Sequence, residues 1–142
     1  MRILVINPPN KPFTNKTIVA EPIDVLQIAT VIQEEYKDVK VLDMDVNRMN
    51  NNINKYLKEK NILIFVFDYH IPLHTTETKD NIFEIIKNIS KDVIATAIII
   101  GKTSSYYQEE FLKNGINILI TGIAEPEIIK IIKYIDKKEE LL

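Results

Sequence analysis

Short, almost wholly apolar runs alternate along this chain with longer amphipathic stretches. The strongest runs cover residues 3–6, 62–67 and 93–100, and only Thr96 interrupts them. Consecutive apolar residues put side chains on both faces of a strand, so both faces need cover. A parallel sheet sheathed by helices supplies that cover. Each run is far shorter than the roughly 20 residues that cross a bilayer. Weaker runs at 39–42 and 116–120 bring the candidate strands to five.

The intervening stretches carry helical spacing. Pro22 suits a first helical position, and Val25, Ile28, Ala29 and Ile32 then recur up to about Glu35. Ile53, Tyr56 and Leu57 predict a short second helix after an Asn-rich entry. Thr75 or Thr76 caps a third, whose stripe is Ile82, Ile85, Ile86 and Ile89. Ser105-x-x-Gln108 reads as a capping box for a fourth, with Phe111 and Leu112 on its apolar side. Gly115 fits the left-handed position that ends it. Pro126 opens a fifth, carrying Ile128, Ile129, Ile131, Ile132 and Ile135. Five βα units in this order predict one doubly wound α/β domain over residues 1–142, with helices on both faces. By analogy its five-stranded parallel sheet takes the flavodoxin-like order 2-1-3-4-5 with right-handed crossovers.

Composition narrows the function classes. A hydrophobic share of 46% with 27% charged residues excludes a disordered chain. The net charge of -2 argues against nucleic-acid and membrane-surface partners. With no cysteine there is no disulfide, thiol nucleophile, thiolate zinc site or iron–sulfur cluster on this chain. The start MRILVINPP lacks the long apolar stretch of a signal peptide, so the expectation is a cytoplasmic domain.

In such a sheet, ligands meet the carboxyl ends of the strands, where helix N-termini present free N–H groups. The informative segments are therefore 7–21, 43–52, 68–76, 101–105 and 121–125. The first is long for a βα turn, is stiffened by Pro8, Pro9 and Pro12, and contains no glycine. Dinucleotide and P-loop sites of the familiar types need glycines there and are rejected. Asp43 and Asp45 then read as solvated loop carboxylates. Asp68, His70 and His74 are metal-ligand types, but Pro72 separates the histidines, and a polar loop is the expected outcome. Gly101 permits a turn or a close approach, Lys102 can meet an anion, and Thr103 and Ser104 offer hydroxyls. Gly122 permits tight passage, and Glu125 stands beside a helix N-terminus, where a carboxylate is favoured.

Taken in order, ILVINPP, EPIDVLQIATVIQEE, VKVLDMD, IIIGKTSS and ITGIAEPEI resemble the cobalamin-binding domain of the cobalamin-dependent radical SAM enzymes. The last piece is similar to that family's Gly-Glu-Gly-Glu turn and keeps Gly122 and Glu125, while Ile123 and Ala124 depart from it. Lys102 stands where the family has a second glycine, and there it either narrows the tail's channel or pairs with the nucleotide phosphate. The resemblance implies a corrinoid-binding module whose nucleotide tail enters between the ends of the central strands. It lays the corrin over the loops that begin at Asn7, with Pro8 and Pro9, and at Asp68, with Tyr69. Gly101 and Gly122 would admit the ligand to the backbone, and Thr103 and Ser104 would bond to it. The Asp-x-His-x-x-Gly cobalt-ligand motif is absent, so the implied cobalamin is base-off, without a protein histidine on cobalt. The Cys-x-x-x-Cys-x-x-Cys motif is absent too. The implied module is thus an excised or free-standing relative, served by a separate radical SAM domain or partner protein. It is not expected to be catalytic on its own.

Two other readings stand beside it. One is a cofactor-free α/β interaction module. The other is a degenerate phosphorelay receiver, because ILIFVFDYHIP resembles a receiver's third strand with Asp68 as phosphoacceptor. Receivers hold magnesium with an acidic pair after the first strand, and here stand Asn7 and Pro8. They carry a lysine after the fifth strand, where this chain has Thr121 and Gly122.

Overall fold

The computed structural model describes residues 1–9, 22–44, 52–67, 69 and 76–140, apart from the side chains of Thr103, Glu139 and Glu140. Five strands form one sheet: β1 (Arg2–Asn7), β2 (Val39–Asp43), β3 (Lys60–Val66), β4 (Ile94–Ile100) and β5 (Ile118–Ile120). Their order is β2-β1-β3-β4-β5 and every neighbouring pair is parallel, the flavodoxin-like arrangement expected from the pattern. Ile3 pairs with Val39 on one side and Ile62 on the other, and Ile62 in turn pairs with Thr96.

Alternation divides the consecutive apolar residues between two cores. Ile3, Val5, Ile62, Ile64, Ile98 and Ile100 face one way and pack with helices α1 (Ile23–Gln33) and α4 (Glu125–Glu140). Leu4, Ile6, Leu63, Phe65, Ala97 and Ile99 face the other way, toward α2 (Thr76–Lys87) and α3 (Gln108–Lys113). Burying each large apolar side chain in this way contributes about 1.5–3 kcal/mol, so the central strands hold the fold from both sides. The helical stripes read from the sequence are the buried ones: Val25, Ile28, Ala29 and Ile32 on α1, and Ile128, Ile132 and Ile135 on α4. Phe111 of α3 is fully buried and meets Phe67, Phe83 and Tyr107 edge-on at centroid distances of 5.8, 5.5 and 6.2 Å. Among the described residues no helix is long and apolar enough to cross a membrane.

Three local expectations need correction. The second helix is a single 3-10 turn, Asn54–Tyr56, because the chain becomes extended at Leu57 on its way into β3. Within the expected helix Ile53 is fully buried while Tyr56 and Leu57 are only partly buried, so one turn satisfies its apolar demand. The Ser105-x-x-Gln108 capping box does not form. The Ser105 hydroxyl donates back to the Lys102 carbonyl within a 3-10 turn, Lys102–Tyr107, and α3 begins only at Gln108. Local side-chain bonding of this kind competes with capping. Finally, Pro22 precedes the first residue of α1 rather than opening it, and Pro126 is the second residue of α4. Gly115 behaves as expected: its φ is 93° and the Ile116 N–H reaches the Phe111 carbonyl at 3.1 Å, closing α3.

Candidate functional site

The carboxyl ends of all five strands lie along one edge of the sheet, and the N-termini of the helices that follow share that edge. At its β1–β2 end, the Asn7 side-chain amide donates to the Asp43 carboxylate at 2.9 Å. The Asn7 carbonyl accepts the Met44 N–H at 3.0 Å. Asp43 is therefore tied down rather than a freely solvated loop acid. Pro8 is buried, and the Pro9 carbonyl accepts from the buried Asn81 amide at 3.1 Å, fixing the start of the first loop against α2.

At the centre of the edge the chain after β3 crosses the end of β4. The Phe67 N–H donates to Ile100 O at 2.7 Å, and the Gly101 N–H donates to Ile120 O at 3.0 Å. A Cβ on Gly101 would stand 1.4 Å from the Phe67 carbonyl oxygen. Its φ of 161° is ordinary extended backbone, so Gly101 is required by close approach and not by conformation. The neighbour that fills the approach is the protein's own backbone.

Beyond that crossing lies Tyr69, 2% exposed and packed in the core shared by α1 and α4. Its hydroxyl donates to the Glu125 carboxylate and accepts the Ala124 N–H, the latter at 3.0 Å. Ala124 is fully buried, and Glu125 is the first residue of α4. Burial pushes the Tyr69 phenol above its ordinary pKa, and the Glu125 carboxylate adds to the rise, so the hydroxyl stays protonated at neutral pH and acts as a donor. This clasp joins the ends of β3 and β5 across the intervening β4.

The remaining candidates separate into closed and open positions. Ser104 is fully buried and its hydroxyl donates to Gly101 O at 2.6 Å, which accounts for it inside its own turn. Thr103 lies in the same 3-10 turn. Lys102 is exposed. Gly122 is exposed too, and no described atom lies within 4 Å of where its Cβ would stand. Its neighbour Ile123 is 72% exposed. Asp45, Asp68, His70 and His74 lie outside the described residues, and with them the metal and phosphoacceptor readings. Among the described residues no group of three or more acidic or histidine side chains is placed to hold a metal ion.

Sequence reasoning passed over the buried polar groups of α2, Thr78, Lys79 and Asn81. Lys79, 5% exposed, ion-pairs with Glu110 at 2.5 Å and lies 4.7 Å from the centroid of the Tyr107 ring. The signal was present: Lys79 stands three residues before Ile82 on the buried stripe of α2, a place for an apolar side chain. Glu110 and Tyr107 also line a surface depression of about 460 Å³ at the start of α3.

At this edge the protein's own groups close the interior around Gly101, Ser104 and Tyr69, while Lys102, Gly122 and Ile123 are exposed at the rim. No protein-family model, curated protein or solved structure matches this chain.

Proposed function

We propose that the chain is a corrinoid-binding-type module whose ligand seat is the carboxyl edge of the sheet. The observation that carries this reading is the contrast at the two glycine turns: Gly101 is covered by Phe67, whereas Gly122 faces open space beside exposed Ile123 and at the same edge as exposed Lys102. An open turn at a strand end beside a helix N-terminus suits a large ligand that approaches backbone. The strand order and the ordered sequence resemblance add support. Of the residues the resemblance assigned to cobalamin at the two glycine turns, Lys102 and Gly122 are exposed to meet a corrinoid, while Gly101 and Ser104 are engaged by the protein itself. A nucleotide tail between the ends of β3 and β5 fits only with Tyr69 withdrawn, because Tyr69 fills that space. When bound, the corrinoid itself supplies the methyl-transfer or radical chemistry, and a separate radical SAM catalytic domain is the partner class.

The Tyr69 clasp favours a second reading, a cofactor-free interaction module in which the seat has been filled by the protein's own side chain. Mixing the purified protein with hydroxocobalamin, desalting, and recording the visible spectrum separates the two. The expected result is retention near one corrinoid per chain. A colourless protein fraction gives the cofactor-free module.

A further inference from the structure

The segment Tyr106-Tyr107-Gln108-Glu109-Glu110 carries two overlapping pairs, each a tyrosine and a glutamate three residues apart. Residues at that spacing are neighbours on a helical turn. The inner pair, Tyr107 and Glu110, already holds a cation. The Lys79 ammonium lies 2.5 Å from the Glu110 carboxylate and 4.7 Å from the centroid of the Tyr107 ring. The outer pair, Tyr106 and Glu109, repeats the same groups at the same spacing and lines the depression of about 460 Å³. Tyr106 is 84% exposed and Glu109 is exposed. Among the described residues neither side chain has a hydrogen-bond or ion-pair partner. Two carboxylates on this wall stand against the one ammonium behind it, so a negative charge is left over. Among the described residues no lysine or arginine lines the depression to cancel it. A ring face beside a carboxylate attracts an organic cation. We infer that the depression seats an organic ammonium group, recognised by Tyr106 and Glu109 as Lys79 is held by Tyr107 and Glu110. That group comes from a free amine or from the lysine side chain of another chain. The seat does not rest on the corrinoid reading, and no corrinoid enters its test.

The isotope-labelled protein is titrated with n-butylammonium chloride while its backbone amide shifts are followed by NMR. Sodium chloride at matched ionic strength controls for screening, and n-butanol controls for the apolar tail. The same titration is run on Tyr106→Ala and Glu109→Gln. Both replaced side chains are exposed and unbonded, so both variants keep the fold. The expected result is saturable shifts at Tyr106, Gln108 and Glu109 with n-butylammonium alone. Each variant should bind about fivefold more weakly, the size of one exposed cation–π contact or ion pair. Added salt should weaken binding to wild type and leave Glu109→Gln less affected, because the carboxylate's attraction is the screened part. A further titration with Nα-acetyl-lysine amide separates the two sources. Affinity equal to that of n-butylammonium assigns the seat to a lysine carried on another chain, and much weaker binding assigns it to a free amine. The seat is overturned by the absence of a saturable shift, by the same shifts with sodium chloride or n-butanol, or by unchanged binding in either variant.

Discussion

The two edges of the sheet both tie turns across an intervening strand, but with different groups. At the amino edge, Asp38 is braced by Arg2 at 3.1 Å and by Lys58 at 2.6 Å, and Arg2 also donates to Tyr56 O at 2.9 Å. Asn61, 1% exposed, accepts the Lys58 N–H and donates to Lys58 O and Ile94 O. Asn117 accepts the Ala97 N–H at 2.8 Å. The Arg2 and Asn61 contacts join adjacent strands or the turns that lead into them, and the Lys58–Asp38 pair ties the turns before β3 and β2 on either side of β1. At the carboxyl edge the Tyr69 clasp reaches past a neighbouring strand, from β3 to the turn after β5, and an exposed glycine turn lies beside it. The amino edge is tied by charged side chains and side-chain amides; at the carboxyl edge a buried tyrosine makes the tie and the turn at Gly122 stays exposed. Polar bonding across a strand, present at both edges, therefore does not by itself mark a functional edge.

The sharpest break in the comparison comes from the two glycines. Gly101→Ala places a Cβ against the Phe67 backbone, which cannot swing aside, and should destabilise the fold by about 3 kcal/mol or more. Gly122→Ala meets no described atom and should stay within about 0.5 kcal/mol. Urea denaturation of both variants checks this. Similar midpoints for the two would mean that the crossing of β3 over the end of β4 is not as tight as described.

A smaller effect is expected at the amino edge. The hydrogen bond from Lys58, against a smaller opposing effect of burial and with help from Arg2, holds the Asp38 carboxyl below its ordinary pKa. A carboxyl lowered in the folded state stabilises the fold above its unfolded pKa, near 3.8, and that stability drains away as the pH falls through the folded value. Asp38→Asn should cost under about 1 kcal/mol at neutral pH, since one partner, Lys58, is half exposed. It should also flatten the loss of stability below about pH 4. Denaturation midpoints at neutral and acid pH measure both, and an unchanged acid limb in the variant would remove Asp38 from the account.

The legibility of these regions in the sequence followed periodicity. The strands and the buried stripes of α1 and α4 could be read because burial on both faces, or on one helical face, imposes a repeat. Strand order entered by analogy and was found as expected. What failed were judgements on single turns. Ser105 and Gln108 have capping-box spacing, yet a hydroxyl chooses among nearby carbonyls by local geometry that spacing does not encode. Gly101 was read as a turn or a place for a ligand to approach, and the close neighbour is instead the Phe67 backbone, which only tertiary structure reveals. Tyr69 and Glu125 were each singled out from separate loops, and their mutual bond follows from a strand order that brings position 69 to the turn at 124–125. Lys79 was missed because a lysine in an amphipathic helix is ordinarily solvated, and its carboxylate lies on another helix.

The central claim is that the carboxyl edge, and not the amino edge, receives the ligand. The most direct measurement is a map of backbone amide shifts on adding hydroxocobalamin to the isotope-labelled protein. The account predicts perturbations concentrated at Asn7, Tyr69, Lys102, Gly122 and Ala124. Perturbations centred on Asp38, Asn61 and Ile94, or an unperturbed spectrum at saturating hydroxocobalamin, would contradict it.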